Sequence, residues 1–417
     1  MKKRLVVVGN GLAAIRFLER LFTLQPSRFE VTVIGKEHAY NRHFLSRILQ
    51  NGEAFEKANV DLDDWYKEHG VRVITREIVN TVDPLVRHVK TDRGRKFTYD
   101  KLVLATGSTP HILPIRGAGK SGVMTFRTLE DCVALMDAPN HSKKAAVIGA
   151  GLLGLETAMG LVERGVQTTV VHHQPNVMNR QLDRLASEML QEELEGKGIR
   201  FALSKRTKEI IGDRRAEGIR FSDGSILEAD LVLMTVGVKP NIELAKRAGI
   251  AFHRGILIDD YLQTSDPNVY AIGECAEHRS VTYGVVEPIQ DQAECLAKIL
   301  AGVPVRYTGS VMSTTLNIAN VKAFSTGQVL ETEETRTYQW IDPIRLIYKK
   351  IVTLHGYIIG AILYGDTSES AKLSHLVNNL SPVSEIPAHQ LFPSEKTRTS
   401  NLALVPQKMH TTKAAQS

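Results

Sequence analysis

The stretch "YAIGECAEH" (residues 270–278) brings four chemically active side chains within five positions: Glu274, Cys275, Glu277 and His278. Carboxylates, imidazoles and thiolates are common metal ligands, and a thiol with acid and base neighbours can also be a reactive centre. A closed metal site needs further ligands from elsewhere in the chain. Because no second cluster supplies them, we predict that this stretch holds no metal and that Glu277 and His278 begin a loop after the strand.

Two glycine-rich turns carry a stronger signal, since both have the GxGxxG or GxGxxA spacing of dinucleotide-binding proteins. They comprise Gly9, Gly11 and Ala14 in "VVVGNGLAA", and Gly149, Gly151 and Gly154 in "VIGAGLLGLE". In such a turn the first glycine permits the bend, the second lets the backbone approach a pyrophosphate, and the third small residue lets the helix pack closely. The helix that follows directs its free N–H groups at the phosphates.

The elements around both turns follow the same succession. Residues 4–37 and 144–175 each have the pattern of a β-branched strand, a turn, an amphipathic helix and a second strand. This is the βαβ opening of a dinucleotide-binding fold, present twice. Each half also has a later strand that ends in a glycine loop, which we expect to face its own nucleotide. These loops contain Ala105, Thr106 and Gly107 in the first half and Gly237 in the second.

The end of the second strand of each unit usually carries the residue that binds a ribose. In the first half this strand ends at Gly35, and Glu37 lies two positions later, as a predicted ribose ligand or a solvated loop carboxylate. In the second half His172 and His173 stand there, which leaves the choice between NADH and NADPH open, with NADH favoured. As neighbours on a strand they would point to opposite faces, which disfavours a metal site.

The length and composition predict a protein of two or three domains without nucleic-acid or membrane partners. A length of 417 residues exceeds one compact core. The net charge of +6 is spread without a dense basic block, so it favours an acidic partner only weakly. No apolar stretch approaches the roughly 20 residues of a membrane helix. The three cysteines form no CxxC pair, which predicts no disulfide framework and a reducing cytoplasm.

The carboxyl-terminal third changes in character after about residue 308. Two strands joined at His355-Gly356 are predicted to form a β-hairpin, followed by a helix from about Ser368 to Leu380 with Asp366 or Thr367 as its cap. Upstream, residues 288–300 read as a helix with Pro288 at its first position. Beyond residue 387 the chain is polar and aperiodic, which is typical of a mobile tail.

The motifs "VVVGNGLAA", "LVLATGSTP", "VIGAGLLGLE" and "VYAIGE" occur in the order found in the two-dinucleotide-binding-domain flavoprotein reductases, and the chain resembles that family up to about residue 380. The resemblance implies an α/β fold with two Rossmann-like domains, one for FAD and one for NAD(P)H, and a small C-terminal α+β domain. The implied domains are an FAD domain of residues 1–115 and 245–307, an inserted NAD(P)H domain of 116–244, an α+β interface domain of 308–383 and a tail of 384–417.

Four further segments narrow the resemblance: "YNRHFLSRIL", "PNVMNRQLD", "GECAEHRSVTYGVVEP" and "YKKIVTLHGYIIGAILYGDTSES". They are similar to the N-terminal flavoprotein region of assimilatory nitrite reductase large subunits and to nitrate reductase electron-transfer subunits. Those nitrite reductases continue into iron–sulfur and sirohaem modules, whereas three scattered cysteines cannot ligate a Cys₄ cluster. The resemblance therefore implies an NAD(P)H-oxidising FAD module with a separate acceptor: a nitrite or nitrate reductase catalytic component, a ferredoxin or a rubredoxin.

Two alternatives remain open at this point. A rubredoxin or ferredoxin reductase or an NADH oxidase-like flavoprotein would share the fold, although enzymes with small acceptors usually need a cysteine near "YNRHFLSR", where none occurs. A non-catalytic sensor of NAD(H) or flavin is the other alternative. The sequence also leaves open whether the chain forms a homodimer.

The resemblance assigns roles to individual residues. Glu156 is implied to lie beside the nicotinamide, and Arg47 to lie where relatives carry a lysine near the flavin, so that its charge stabilises the reduced form. Alternatively, Glu156 is a carboxylate on a helix surface and Arg47 is an ordinary surface arginine. The remaining implied cofactor-binding residues are Arg42, Gly273, Glu274 and Pro288, with Glu274 accepting a hydrogen bond from a ribityl hydroxyl.

Overall fold

The computed structural model describes residues 2–40, 42–52 and 62–386. The described residues form two compact units: those up to 178 together with 191–312 form the first, and 179–190 together with 313–386 form the second. The division of the first unit into FAD and NAD(P)H domains stays a prediction. The predicted tail comprises residues 384–417, and its part from residue 387 onward lies outside the described residues. Within the described ranges no helix is both long and apolar enough to cross a bilayer.

The helices of the described ranges lie mostly between strands, as the repeated βαβ pattern predicts. They are α1 (Leu12–Leu24), α2 (His43–Asn51), α3 (Asp63–Glu68), α4 (Leu129–Asp137), α5 (Leu152–Glu163), α6 (Arg184–Gly196), α7 (Glu243–Arg247), α8 (Val286–Ala301) and α9 (Ser370–Asn378). Short 3₁₀ turns occur at Ala138–Asn140, Gly273–Cys275 and Val383–Glu385.

The strands of the first unit up to the second glycine turn are β1 (Lys3–Val8), β2 (Phe29–Ile34), β3 (Arg72–Ile74), β4 (Val79–Asp83), β5 (His88–Thr91), β6 (Lys96–Thr98), β7 (Lys101–Leu104), β8 (Ser108–Pro110), β9 (Val123–Thr125) and β10 (Lys144–Ile148). Those that follow in the same unit are β11 (Gln167–Val171), β12 (Arg200–Ala202), β13 (Thr207–Ile211), β14 (Gly218–Phe221), β15 (Ile226–Glu228), β16 (Leu231–Met234), β17 (Val238–Pro240), β18 (Ile256–Ile258), β19 (Val269–Ala271), β20 (Ala276–His278) and β21 (Val281–Thr282). The second unit contains β22 (Ser313–Ile318), β23 (Val321–Gly327), β24 (Thr335–Asp342), β25 (Ile347–Leu354) and β26 (Tyr357–Tyr364).

The first sheet consists of five parallel strands in the order β19-β7-β1-β2-β3. Its central strand is buried from Leu5 to Val8, as expected for a strand covered on both faces. Val8 is in register with Ile34 of β2 and Leu104 of β7, so three strands end at the same level. The turns after them meet at the carboxyl edge of the sheet, where α/β sheets bind ligands.

The second sheet repeats this arrangement with the order β12-β11-β10-β16-β9, again all parallel. Ile148 at the end of β10 is in register with Val171 of β11 and Met234 of β16. The second glycine turn therefore also lies at a carboxyl edge, and the predicted duplication of the βαβ unit is confirmed.

Helices α1 and α8 pack on each other, and α8 differs from its prediction at the start. The helix begins at Val286, so Pro288 is its third residue and not its first. Proline is tolerated at the third position because the first four N–H groups of a helix have no acceptor within the helix. The missing N–H of Pro288 therefore removes no hydrogen bond from α8. Pro288 itself is buried.

The stretch after the 3₁₀ turn is a strand, which corrects a second prediction. Glu277 and His278 were expected to begin a loop, but they lie in β20, which pairs in parallel with β18. Both side chains are almost fully buried. Two ionisable residues in succession do not have the pattern of a buried strand. Their partners, described below, come from elsewhere in the chain.

The second unit is built on an antiparallel sheet of order β22-β23-β26-β25-β24, with α9 packed on β26 and β23. The predicted hairpin is confirmed: His355 and Gly356 both have positive φ, 50° and 86°, as a two-residue type I′ turn requires. The predicted helix cap is wrong, because α9 begins at Ser370 and the Asp366 carboxylate accepts from the Ser368 N–H in the preceding turn at 3.0 Å.

A buried lysine joins the two segments of the second unit. Lys350 is 1% exposed, and its Nζ lies 3.0 Å from Asp183 Oδ2 and 2.9 Å from Glu331 Oε1. The Tyr348 hydroxyl donates to the same Asp183 oxygen at 2.7 Å, and burial followed by the Asp183 charge raises the pKa of Tyr348. An ammonium group removed from water needs such partners. Asp183 is therefore an integral part of this unit.

Candidate active site

The first glycine turn leaves the N-terminus of α1 open. Gly9 has φ of +114°, and a Cβ there would overlap the carbonyl oxygen of Ala105. Gly11 is the N-cap residue, and among the described residues no side chain caps the helix and no atom lies within 4 Å of where its Cβ would be. Ala14, in the first turn of α1, is fully buried. The first N–H groups of α1 are thus left without a side-chain cap among the described residues, an arrangement that suits an anionic ligand.

Glu37 and Arg42 form an ion pair beyond β2, with Arg42 Nη2 3.0 Å from Glu37 Oε2. The guanidinium also lies 5.3 Å from the centroid of the Tyr40 ring. Gly35 packs against Asn10, since a Cβ at Gly35 would lie 2.9 Å from the Asn10 Cβ. The segment that carries Glu37 therefore begins beside the first glycine turn. Its role as ribose ligand stays a prediction.

The loops that follow β7 and β16 are tied together. The Thr106 hydroxyl donates to the Asn241 carbonyl at 3.1 Å, and the Asn241 amide donates to the Thr106 carbonyl at 2.7 Å. Strands β8 and β17, which begin just beyond Gly107 and Gly237, pair in an antiparallel manner. The Ala105 N–H donates to the Val8 carbonyl, so Ala105 lies beside the first glycine turn.

Glu274 lies at the same edge of the first sheet and is held by two donors. The Ser108 hydroxyl donates to its Oε2 at 2.8 Å, and Arg127 forms an ion pair with the same oxygen. Neither partner of the ion pair is well exposed: the side chain of Arg127 is 17% and that of Glu274 is 15% exposed. The preceding residue, Gly273, donates its N–H to Gln292 Oε1 of α8 at 2.7 Å.

Arg127 was not identified from the sequence. It precedes Thr128, the N-cap of α4, and the Asp131 carboxylate accepts both from the Arg127 N–H and within a capping box with Thr128. The arginine is therefore held rigidly, and its buried Nε has no hydrogen-bond partner in the described part of the chain. A fixed cation with an unused donor fits a phosphate-bearing cofactor such as FAD. The sequence signal that could have pointed to Arg127 is the capping box that directly follows it.

The second glycine turn has the same construction. A Cβ at Gly149 would lie 2.5 Å from the Thr235 carbonyl oxygen, and one at Gly154 would overlap the Gly149 carbonyl oxygen. Gly151 is the N-cap of α5 and has no side-chain cap within the described residues. The residues present therefore fit a second dinucleotide.

His172 and His173 differ from their prediction, which placed them on opposite faces of a strand. Strand β11 ends at Val171, so both follow it, and their rings pack against each other with centroids 4.8 Å apart. The alternation of side chains holds only within a strand. No group of three or more His, Cys, Asp and Glu side chains in the described ranges is placed to hold a metal ion.

Arg47 and Glu156, the predicted catalytic residues, are brought together by the packing of α2 on α5. Ser46 hydrogen-bonds to the Glu156 carboxyl group, and the Arg47 charge acts on it. Burial raises the pKa of Glu156 to about 7, and these two neighbours only partly oppose the shift. Arg47 is exposed, with its guanidinium 5.3 Å from the Phe44 ring centroid. A carboxyl group that titrates near neutral pH is typical of functional sites.

We predict that this carboxyl group makes stability depend on pH. Between about pH 4.5 and 7 the folded protein keeps a proton on Glu156 that the unfolded chain releases, so the free energy of unfolding falls as pH rises through this window. In the wild type this decrease in the free energy of unfolding should reach up to about 3 kcal/mol at pH 8. It should be absent in Glu156→Gln. Urea unfolding at a series of pH values measures it, with Glu30→Gln at an exposed carboxylate as control. Identical pH curves for Glu156→Gln and the wild type would contradict the shift.

The other members of the "GECAEH" cluster have structural partners. Glu277 accepts from the Gly255 N–H at 2.7 Å, and His278 Nε2 lies 2.9 Å from Asp260 Oδ1. Cys275 is fully buried, and burial raises the pKa of its thiol, which disfavours a reactive thiolate. Of the four side chains that first suggested chemistry, only Glu274 lies beside Arg127.

Two open helix N-termini at the carboxyl edges of two parallel sheets define the class of proteins that bind two dinucleotides. The comparison with known families agrees: residues 3–293 match the model described as pyridine nucleotide-disulphide oxidoreductase, and residues 313–380 match the rubredoxin NAD+ reductase C-terminal domain. The chain belongs to the pyridine nucleotide-disulphide oxidoreductase family.

Among curated relatives, the chain is 48% identical over 375 residues to the assimilatory nitrate reductase electron transfer subunit of Bacillus subtilis (strain 168), covering 89% of this chain and 49% of that protein. It is 46% identical over 387 residues to nitrite reductase [NAD(P)H] of the same strain, covering 92% and 48%. The chain thus spans about half the length of these relatives. A solved ferredoxin reductase for the CYP199A2 system from Rhodopseudomonas palustris superposes with a TM-score of 0.83 at 27% identity, covering 89% of this chain and 93% of that one.

These findings confirm several predictions. The two-Rossmann fold with an additional C-terminal domain is confirmed, as are the class of FAD-dependent NAD(P)H oxidoreductase and FAD with a nicotinamide nucleotide as its cofactors. The resemblance to nitrite reductase large subunits and nitrate reductase electron-transfer subunits is confirmed as well. The roles of individual site residues stay predictions.

Proposed function

We propose that this chain oxidises NAD(P)H, with NADH favoured, and delivers the electrons to a separate acceptor protein in nitrate or nitrite assimilation. The observation that carries the proposal is the packing of α2 on α5, which sets Arg47 and Glu156 together within a unit that has two open dinucleotide turns. FAD, when bound, would accept a hydride and release electrons one at a time. The protein supplies binding, orientation and charge.

The residues proposed to bind each cofactor follow from the two turns and their neighbouring loops. For FAD they are Gly9, Gly11, Ala14, Glu37, Arg42, Ala105, Thr106, Gly107, Gly273, Glu274 and Pro288, to which the geometry adds Arg127. For the nicotinamide nucleotide they are Gly149, Gly151, Gly154 and Gly237. The open N-termini of α1 and α5 and the unused donor of Arg127 support these assignments.

Arg47 and Glu156 are proposed to act as a pair beside the reacting groups. The Arg47 guanidinium supplies a fixed positive charge that stabilises negative charge as it develops nearby. Glu156 holds a proton at its carboxyl group up to about pH 7 and loses it above that value. The charge beside the site therefore changes over the physiological range.

The proposed acceptor is a protein: a nitrite or nitrate reductase catalytic component, a ferredoxin or a rubredoxin. The names of the two Bacillus subtilis relatives support the first of these. The net charge of +6 favours an acidic acceptor, mainly through a faster encounter. The cysteines Cys132, Cys275 and Cys295 are all buried, which disfavours an acceptor that needs a thiol at the flavin. We place the activity in the cytoplasm.

A second candidate is a rubredoxin or ferredoxin reductase outside nitrogen assimilation. The observation in its favour is the match of residues 313–380 to the rubredoxin NAD+ reductase C-terminal domain. The same chemistry would then serve a different carrier, so only turnover with each carrier separates the two candidates.

An anaerobic assay tests the proposal. The protein is loaded with FAD and mixed with NADH or NADPH, and loss of the visible flavin band is followed before each acceptor protein is added in turn. We expect rapid bleaching, slow reoxidation by oxygen and fast reoxidation by one protein acceptor. Glu163→Gln, an exposed carboxylate on the same helix as Glu156, is the matched control for Glu156→Gln. A protein that takes up no FAD and reduces no dye with NADH would contradict the proposal.

A further inference from the structure

We propose that Gly160 of α5 and Arg164, the residue directly after α5, are positioning residues that hold the end of α2 in place, so that Arg47 lies beside Glu156. The inference rests on the proposed function of that pair. It assigns a role to two residues that lie at the far end of α5 from the glycine turn.

Gly160 lets the two helices approach closely. A Cβ on Gly160 would lie 2.8 Å from Leu49 Cγ and 3.1 Å from the Leu49 carbonyl oxygen. The first neighbour belongs to a buried side chain and the second to the backbone of α2. Neither can yield without moving α2 itself. Glycine at 160 therefore fixes the distance between α2 and α5.

Arg164 fixes the end of α2 by hydrogen bonds. Its Nη1 donates to the Leu49 carbonyl and, at 3.0 Å, to the Gly160 carbonyl, while Nη2 donates to the Ile48 carbonyl at 3.4 Å. The last carbonyls of a helix have no N–H donor within the helix and carry its negative dipole end, so a guanidinium supplies both a donor and a positive charge. The Ile48 carbonyl also accepts from the Gly52 N–H at 3.0 Å. One planar group thus links the last turn of α2 to α5.

This anchor lies directly next to the proposed catalytic pair. Ser46 and Arg47 immediately precede the two carbonyls that Arg164 holds, and the Gln50 amide donates to the Glu156 carbonyl at 3.3 Å. A shift of the last turn of α2 would carry Arg47 and Ser46 away from the Glu156 carboxyl group. Both neighbours favour its charged form, so their withdrawal leaves the carboxyl group protonated to higher pH.

The test compares Arg164→Met, Arg164→Lys and Gly160→Ala with wild type as FAD-loaded proteins. Lys144→Met, which removes an exposed cation at the start of β10, is the control. The first measurement is the rate of anaerobic flavin bleaching by saturating NADH against pH. The second, which needs no turnover, is the pH midpoint of the change in the visible spectrum of the oxidised flavin.

We expect Arg164→Met and Gly160→Ala to slow bleaching about 10- to 100-fold with little change in the NADH concentration for half-saturation. The pH midpoint should rise by about one unit in both measurements. Arg164→Lys keeps a cation at the helix end and should recover most of the rate, and Lys144→Met should match wild type. Arg47→Met combined with Arg164→Met should be no slower than Arg47→Met alone.

The outcomes separate this inference from the proposed function. If Arg47→Met and Glu156→Gln lower the rate and move or abolish the midpoint while Arg164→Met leaves both unchanged, the positioning role is overturned and the function stands. If Arg47→Met and Glu156→Gln behave as wild type, the function of the pair fails as well. Should Gly160→Ala not fold, both measurements on Arg164→Met, Arg164→Lys and the double variant Arg47→Met/Arg164→Met still test the positioning role.

Discussion

Gly154→Ala is expected to abolish NAD(P)H-dependent reduction of the flavin while FAD stays bound. The added Cβ would overlap the Gly149 carbonyl oxygen and lie 2.7 Å from the Thr235 hydroxyl oxygen. The nearest obstacle is backbone of the glycine turn itself, so the turn must deform for the methyl group to fit. We expect the affinity for NADH to fall by at least about 100-fold, equivalent to about 3 kcal/mol.

Anaerobic bleaching at increasing NADH measures the loss, and the visible absorbance of the purified protein reports FAD occupancy. Gly196→Ala is the matched control: Gly196 ends α6, and a Cβ there would meet no atom within 4 Å among the described residues. Normal bleaching of Gly154→Ala at the NADH concentrations used for wild type would show that this turn does not bind the nicotinamide nucleotide.

Arg127→Met is expected to release FAD. The substitution removes the cation from the largely buried Glu274 carboxylate and also removes the unused Nε donor. Breaking a buried pair from one side costs about 3 kcal/mol or more, because the remaining charge loses its countercharge. We therefore expect the dissociation constant for FAD to rise by at least about 100-fold.

Equilibrium dialysis against free FAD measures this effect for Arg127→Met, Glu274→Ala and the double variant Arg127→Met/Glu274→Gln. The double variant should recover part of the affinity, since it leaves no unpaired carboxylate. Arg4→Met is the control, because Arg4 pairs with Asp100 at the exposed start of β1. Wild-type FAD occupancy in Arg127→Met would exclude a cofactor role for this arginine.

The features that could be predicted from the sequence are those decided by neighbouring residues. The βαβ units were predictable because a glycine turn between a β-branched strand and an amphipathic helix is a local pattern. The hairpin at His355-Gly356 was predictable for the same reason, since the turn type is set by two residues.

The features that were missed depend on distant partners. Arg127 and Glu274 are 147 positions apart, and no local pattern indicates their pairing. Glu277 and His278 can lie buried in a strand because distant groups, among them the Gly255 N–H and Asp260, bind their side chains. Arg47 and Glu156 were each expected near the cofactors by resemblance, but their juxtaposition results from the packing of α2 on α5.

The order in which a ribosome synthesises the chain affects when the buried ion pair of Lys350 and Asp183 can form. Its partner Asp183 is made 167 residues earlier. At about 5 to 20 residues per second, a ribosome takes on the order of 10 to 30 seconds to cover that interval. During this interval the segment around Asp183 lacks strand β25, which carries its partner Lys350. The second unit is therefore completed only after the residues of the first unit have been synthesised, and translation halted before Lys350 would leave Asp183 without this buried partner.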